Sequence, residues 1–178
     1  MNIFYLDIDP KLCAQYHCDK HVVAMIREYC QILSTTQRLM FGRPILNEKN
    51  KVVKYELKVF DKLFLKHTHI HSPPVKWTMY SLSNYLWLWN LLDNLSRVYT
   101  YVYGKKHMYD RIGLIHSLAI LSQEPNLEYR NNFFTDPPKV VPESCVLNKS
   151  IDSYRLLYMT EKRYMVKYRN RPYPEWFK

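Results

Sequence analysis

Apolar residues recur at steps of three and four along much of the chain, and this spacing constrains the fold more than any other feature. Asp9 before Pro10 is an acceptor side chain followed by proline, which is a typical helix start. The spacing predicts a first helix from there to about Leu39. Its predicted core face consists of Leu12, Tyr16, Val23, Ile26, Cys30 and Leu33.

The same spacing predicts four more helices. The second covers residues 52–65, and the third begins at Ser72 with Pro73 and Pro74 and runs to about Tyr103. This third helix is apolar nearly all round, which is typical of a helix at the centre of a domain, and Gly104 is placed to end it. A shorter helix is predicted over residues 111–122 and a last one from Ser150 to about Arg169.

Residues 123–148 contain four prolines and are expected to form a long surface loop, and residues 150–178 a basic, aromatic C-terminal helix and tail. No strand alternation, internal repeat or interdomain linker stands out. The sequence therefore predicts an all-α fold: a single compact helical domain over residues 1–178, with a long central apolar helix.

The net charge bears on the partner. Lys and Arg number 26 against 16 acidic residues, a formal charge of +10, which favours a polyanion: nucleic acid first, an acidic membrane surface second. The alternative is a basic protein whose charge only aids solubility.

The four cysteines have no CxxC spacing and are expected to be reduced thiols. The start "MNIFYLDIDP" does not resemble a signal peptide and "YLWLWNLLDNL" is too short to span a bilayer, so a cytoplasmic location with no membrane partner is expected.

A line of polar residues is predicted along the first helix, away from its apolar face. A solvated helix face is the alternative, but such faces usually carry Lys and Glu. This line gathers two imidazoles, a carboxylate, a carboxamide and a hydroxyl around a small alanine, with Arg27 on its flank. Asp19 is expected to point towards the core as a structural acceptor for a Tyr or Lys. The line consists of His17, His21, Ala24, Glu28, Gln31 and Thr35.

Two other clusters carry candidate chemistry. His67, His69 and His71 raise the possibility of a metal site together with His17 and His21, but phosphate contacts or simple exposure explain them with fewer assumptions, and neither a metal nor a cofactor is predicted. The C-terminal segment interleaves tyrosines with basic residues, as in surfaces that follow a phosphate backbone and stack on an unpaired base. The alternative is a packed helix with buried Tyr154, Tyr158, Tyr164 and Tyr168.

The segment "CDKHVVAMIREYCQIL" resembles the signature helix of the phage pyrimidine-dimer DNA glycosylases of the endonuclease V type and their broader phage and bacterial relatives. The pattern of that family, an Asp-x-His followed by small apolar residues and Arg-Glu, is met by Asp19, His21, Ala24, Arg27 and Glu28. Weaker echoes are the Ser72-Pro73 helix start and the ending from Arg171-Pro172 to Trp176.

The resemblance implies a mainly helical enzyme that removes a damaged or modified base from DNA, with AP lyase activity as a further possibility. In that family the N-terminal amine attacks the sugar C1′ and forms an imine, which implies Met1 and Glu28 as the catalytic residues here. DNA is the expected partner. The residues expected to bind the DNA or the extruded nucleotide are His17, Lys20, His21, Arg27, Gln31, His69, His71, Arg163, Lys167, Arg169 and Arg171.

The chain departs from the family at its start. Residue 2 is Asn rather than a small residue, Ile3 and Phe4 stand where the family has an arginine, Gln31 replaces a further arginine, and a longer segment precedes the motif. These changes favour a glycosylase that uses water or one for a different modified base, although an amine at Met1 serves if Met1 folds into the pocket. A non-catalytic phage nucleic-acid-binding protein and a nucleotide- or nucleoside-processing enzyme on the same scaffold are the alternatives.

Overall fold

The computed structural model describes residues 1–121, 129 and 131–178, and this part of the chain is mostly helical with one small sheet. The all-α prediction is confirmed in outline, and the sheet is the exception to it. The elements are α1 (Pro10–Tyr16), α2 (Asp19–Phe41), β1 (Arg43–Leu46), β2 (Val52–Glu56), α3 (Pro73–Tyr80), α4 (Leu82–Tyr103), α5 (Met108–Arg111), α6 (Leu114–Ser117) and α7 (Ser150–Met159).

The predicted first helix is in fact two helices. Its start is confirmed, because the Asp9 side chain accepts a hydrogen bond from the backbone of α1. At His17 and Cys18, however, the backbone is extended. The guanidinium of Arg171 lies at this break and donates to the His17 carbonyl and to the Asp19 carboxylate, at 3.1 Å and 2.8 Å. A contact from the far end of the sequence thus stabilises the break, and no local pattern announces it.

The predicted apolar face is only half right, and the break explains this for Leu12 in α1 but not for Val23, which lies in the same unbroken helix as Ile26. Ile26, Cys30 and Leu33 in α2 are fully buried, as predicted. Leu12 in α1 and Val23 near the start of α2 are 38% and 45% exposed. An interrupted helix does not keep the 100° step between residues, so positions that share a face in one continuous helix separate here.

The predicted helix over residues 52–65 is wrong. Residues 52–56 instead form β2, which pairs antiparallel with β1 in a two-stranded hairpin, and residues 57–65 follow as irregular chain. The apolar spacing that suggested a helix here does not reflect one helical face. Leu57 and Phe64 are buried, whereas Val53 is 54% exposed on the hairpin.

Arg38, on the last turns of α2, holds this irregular segment in place. Its side chain is buried and makes five hydrogen bonds of 2.6–2.8 Å: one to the Asp61 carboxylate, and four to the carbonyls of Tyr55, Asp61, Phe64 and Leu65. Buried carbonyls outside regular structure need such partners, because an unsatisfied one costs free energy. One guanidinium therefore secures the chain from the hairpin to residue 65.

The predicted central helix is also divided. Ser81 is extended, and its hydroxyl accepts from the Ser83 amide and donates to the Phe133 carbonyl, so α3 ends and α4 begins there. The predicted end at Gly104 is confirmed, since this residue closes α4 in the left-handed region with φ 66°. α4 packs against α1, α2 and α3, and its fully buried leucines are Leu88, Leu91, Leu92 and Leu95.

The last third of the chain contains less helix than predicted. The helix expected over residues 111–122 is replaced by the short α5 and α6, and residues 122–128 and 130 lie outside the described residues. The described part of the predicted loop, 129 and 131–148, is irregular apart from a 3₁₀ turn at Glu143–Cys145. α7 ends at Met159, ten residues before the predicted end. Within the described residues, no helix has both the length and the apolarity needed to cross a bilayer.

Replacing Arg38 is expected to destabilise the fold strongly. Arg38→Met removes the guanidinium from Asp61, which keeps Lys54 and the Leu57 amide, and takes the Arg38 donor from four carbonyls, so the free energy of unfolding in urea should fall by about 3–5 kcal/mol. The matched control is Arg43→Met, which removes a 76% exposed guanidinium paired with Glu56 and should cost about 1 kcal/mol or less. Equal losses in the two variants would contradict the anchoring role of Arg38.

Candidate site around Glu28

The first residues of the chain run through the core as an extended segment. Ile3, Phe4, Tyr5 and Leu6 are at most 5% exposed. Side chains of α2 and α7 satisfy its backbone: the Phe4 amide donates to the Tyr29 hydroxyl, and Arg155 donates to the Leu6 carbonyl. This burial fixes where residues 1 and 2 emerge.

Asn2 is held in place by its own side chain. Its Oδ1 accepts from the Ile3 amide at 2.8 Å and from the Tyr154 hydroxyl at 2.6 Å, and its Nδ2 donates to the Val140 carbonyl at 2.8 Å. Three contacts on one short side chain leave the backbone nitrogen of residue 2 little freedom to move.

That nitrogen lies beside the predicted catalytic acid. The Asn2 amide donates to Oε2 of Glu28 at 3.1 Å, and the Glu28 side chain is half-buried. In the described part of the chain, no Lys, Arg or His side chain pairs with this carboxylate. No donor in the same residues forms a hydrogen bond to its Oε1. The long segment before the motif therefore does reach Glu28, and the carboxylate keeps one oxygen free for another group.

Met1 lies at the same place. It is half-buried against the core, and the Ser72 hydroxyl donates to its sulfur at 3.8 Å. Residues 66–72 follow α2 from this point, where Gln31 donates to the Lys66 carbonyl and Thr35 accepts from the Thr68 amide. We call Glu28, Asn2, Met1 and the segment 66–72 the Glu28 site.

The predicted line of polar residues on α2 is thus mostly an interface with irregular chain. Gln31, expected at the DNA, holds residues 66–68 through its amide instead. The predicted exposure of His69 and His71 is observed, with His69 in the left-handed region at φ 49°. Lys20, Ala24 and Arg27 are exposed as well. Contact of these side chains with DNA stays a prediction.

The predicted roles of His17 and His21 in binding are wrong for this structure, because both rings are buried. His17 is 0% and His21 7% exposed. The His17 Nδ1 lies 2.7 Å from the Cys13 carbonyl and its Nε2 lies 2.8 Å from the Tyr29 hydroxyl. His21 stacks on Phe4, with the ring centroids 4.0 Å apart, and its Nδ1 is bonded to the Tyr158 hydroxyl.

The partners of His17 define its tautomer. A carbonyl only accepts, so Nδ1 carries the proton and Nε2 accepts from the Tyr29 hydroxyl. That hydroxyl in turn accepts from the Phe4 amide, which completes a chain of neutral hydrogen bonds. Burial lowers the pKa of His17 to about 4 and of His21 to about 3. Both rings are therefore neutral core residues that position the N-terminal segment.

The C-terminal residues divide in the same way. Tyr154, Tyr158 and Tyr168 are buried, so the packed-helix alternative is right for them, while Tyr164 is 78% exposed. The prediction that Arg171 binds DNA is wrong, because its side chain is 9% exposed and clamps the α1–α2 break through Asp19. Asp19 is a structural acceptor as predicted, although its partner is this arginine. Arg163, Lys167 and Arg169 are exposed as predicted.

The histidines do not gather into one cluster. His17 and His21 lie in the core, whereas His67, His69 and His71 belong to the segment 66–72 on the outside of α2. Among residues 1–121, 129 and 131–178, no three His, Cys, Asp or Glu side chains lie close enough together to hold a metal ion.

The positioning residues Asn2, Tyr29, Tyr154 and Ser72 were not predicted as part of the site. The sequence feature that could have indicated them is the apolar run from residue 3 to residue 6, which precedes a helix cap and belongs to no helix. Such a run indicates buried extended chain, and buried extended chain outside a sheet requires hydrogen-bond partners from side chains.

The buried histidines predict a loss of stability in mild acid. The unfolded chain takes up protons below pH 6.5, whereas folded His17 stays neutral down to about pH 4, so the stabilisation is complete above pH 6.5 and disappears towards pH 4. For His17 alone, the fall between pH 7 and pH 4 is on the order of 3 kcal/mol. The free energy of unfolding in urea, measured at intervals between pH 7 and pH 4, should show this fall.

The variant His17→Gln isolates that contribution. Glutamine does not titrate, so its stability should change less with pH between 6.5 and 4, whatever its stability at pH 7. His67 and His107, whose pKa partial burial also lowers, remain in both proteins and cancel in the comparison. Identical pH profiles for the two proteins would contradict the neutral, buried state of His17.

Three comparisons with known proteins bear on identity. No protein family, no curated protein and no solved structure matches this chain. The resemblance to the phage pyrimidine-dimer DNA glycosylases therefore rests on the residues of α2 and the geometry around them, and it stays a prediction.

Proposed function

We propose that the protein is a DNA base-excision enzyme in which Glu28 is the catalytic carboxylate. One observation supports this most: the half-buried Glu28 has no cationic partner in the described residues, and one of its oxygens lies 3.1 Å from the backbone nitrogen of residue 2. A carboxylate placed next to the start of a chain suits a reaction in which an α-amine attacks a sugar and positive charge develops beside it.

The amine is a suitable nucleophile on chemical grounds. An α-amine has a pKa near 7.7–8.0 and a lysine near 10.4, so at neutral pH far more of the α-amine is unprotonated. The α-amine of Met1 belongs to the Glu28 site. Removal of Met1 would instead create an α-amine at the Asn2 nitrogen, which already donates to Glu28.

The reaction balances with these two groups. The amine attacks C1′ of the deoxyribose as the bond from C1′ to the base breaks, and the base leaves with the bonding electron pair and takes up a proton. The amine then loses a proton as the C1′–O4′ bond opens, which leaves an imine at C1′ and a hydroxyl at C4′. Glu28 stabilises the cationic sugar and moves the proton between nitrogen and O4′.

Exposed basic groups supply the electrostatic part of the proposal. Lys20 and Arg27 are exposed cations on the same helix as Glu28, and the exposed His69 and His71 lie on the segment that Gln31 contacts at Lys66. The formal charge of the chain is +10. Cations around a single carboxylate attract the phosphates of DNA and leave the acid itself available for chemistry. A damaged base would have to flip out of the DNA double helix to reach Glu28.

The second candidate is a nucleic-acid-binding protein without catalysis. It is favoured by the same hydrogen bond, because acceptance of the Asn2 amide is a sufficient structural reason for an acid at position 28. The two candidates differ in whether Glu28 needs its charge.

The variant Glu28→Gln separates them. Its amide oxygen can still accept from the Asn2 amide, so the fold is retained while the charge is lost. We expect release of bases from UV-irradiated or base-modified duplex DNA to fall at least ~100-fold, with DNA binding retained. The control is Glu161→Gln, an exposed acid whose loss changes the net charge equally. Unchanged base release in Glu28→Gln would reject the catalytic role of Glu28, and no release by the wild-type protein from any modified duplex would reject the proposal that the protein is an enzyme.

Borohydride reduction on damaged DNA tests the amine. If an imine forms, reduction should give a covalent protein–DNA adduct, and peptide mass mapping should place it on the first residue of the chain, whether Met1 or Asn2. Glu28→Gln should lower the yield of adduct. Base release without an adduct would mean that water is the nucleophile, and an adduct on a lysine would contradict the proposed role of the α-amine.

A further inference from the structure

A second concave surface lies away from the Glu28 site. It is a cleft of about 730 Å³ between α1, α4 and the tail residues 170–175, which we call the α1–α4 cleft. Its volume is in the range of pockets that hold ligands the size of a nucleotide. None of the contacts that hold Glu28 and Asn2 involves a residue of this cleft.

Two tyrosines present exposed rings in this cleft. Tyr101 on α4 is 67% exposed, yet its hydroxyl is fixed by a hydrogen bond to the Asn170 carbonyl at 3.2 Å. Tyr173 is 53% exposed, and it stacks on Phe177 with the ring centroids 5.6 Å apart and an interplanar angle of 24°. Rings held in place but left open to solvent lose little freedom when a flat ligand stacks on them.

The cleft is also cationic. Lys11 is exposed and pairs with no acidic side chain of the described residues. Arg97 is 75% exposed and contacts Asp93 through Nε and Nη2, which leaves Nη1 without a partner in the same residues. Arg171 also lines the cleft, but its side chain is 9% exposed and paired with Asp19, so it is not among the available cations. The acidic side chain in the lining is Glu175.

We infer that the α1–α4 cleft binds single-stranded nucleic acid, with bases stacked on Tyr101 and Tyr173 and phosphates at Lys11 and Arg97. Stacking needs unpaired bases, and Lys11 together with the exposed Nη1 side of Arg97 suits the backbone that joins them. A peptide that binds through aromatic contacts alone has no use for these cations. The inference does not depend on any catalytic role of Glu28.

Fluorescence anisotropy with a 5′-fluorescein-labelled (dT)12 oligonucleotide tests this directly. Tyr101→Ala and Tyr173→Ala should each weaken binding about tenfold, and Tyr101→Phe, which keeps the ring, should bind within about twofold of wild type. The matched control is Tyr80→Ala on α3, a 48% exposed tyrosine outside the cleft, which should change nothing. Because Tyr101→Phe and Tyr101→Ala differ only in the ring, a folding defect in Tyr173→Ala does not affect the decision.

The charges are tested by salt titration. Lys11→Ala and Arg97→Ala should each reduce the slope of log Kd against log salt by about 0.7, the value for one contact to a single-stranded phosphate. Binding of (dT)12 by Tyr101→Ala equal to that of wild type would overturn the inference, as would displacement of the oligonucleotide by an acidic peptide as effective as unlabelled (dT)12. Because no contact that holds Glu28 and Asn2 involves a residue of the cleft, the base-excision assay and this binding assay give separate results.

Discussion

The structure depends on one requirement: the irregular chain packed against α2 must find hydrogen-bond partners, and the polar side chains of α2 provide them. Glu28 and Tyr29 accept from the amides of residues 2 and 4, Gln31 donates to the carbonyl of residue 66, and Arg38 to four carbonyls between residues 55 and 65. This explains why α2, which buries a largely apolar face in its first turns, carries so many polar residues. Apart from the exposed contact of Gln31, these contacts are buried or partly buried, and backbone groups in such places need hydrogen-bond partners.

The same requirement shapes the chemistry available at Glu28. An acid that is locked to a guanidinium has its charge neutralised, whereas Glu28 accepts a single neutral amide and keeps its second oxygen free of the described residues. The neutral, buried His17 and His21 place the N-terminal segment without adding positive charge next to it. A rigid scaffold of neutral hydrogen bonds around one carboxylate is the kind of preorganisation on which electrostatic catalysis depends. It is equally what a stable core needs, and only activity separates the two.

Local signals predicted the parts of the fold that local chemistry determines. The cap at Asp9, the start at Pro73 and the end at Gly104 are each confirmed because a single residue and its neighbours fix them. The break after Tyr16 was missed because its stabilising partner, Arg171, comes from the other end of the sequence.

The candidate site was predicted in part, for the same reason: local features were recognised and contacts between distant segments were not. Glu28 and its exposed neighbour Arg27 were found from the pattern on α2, since spacing along one helix is a local property. The burial of His17 and His21 was missed because the groups that cover them, Phe4 and Tyr158, come from distant segments. The hairpin at residues 43–56 was missed because its apolar spacing also fits a helix.

The clamp at the α1–α2 junction has a consequence for how the chain folds during synthesis. Residues 3–6 are enclosed by Tyr154 and Arg155 of α7, and the start of α2 is completed by Arg171, all of which are translated more than a hundred residues later. Contacts between such distant positions form slowly, because a long loop must close before they contribute any stability. Residues 3–6 therefore cannot be enclosed until residues 154–171 have been translated. In the interval its apolar side chains are open to chaperones and to self-association.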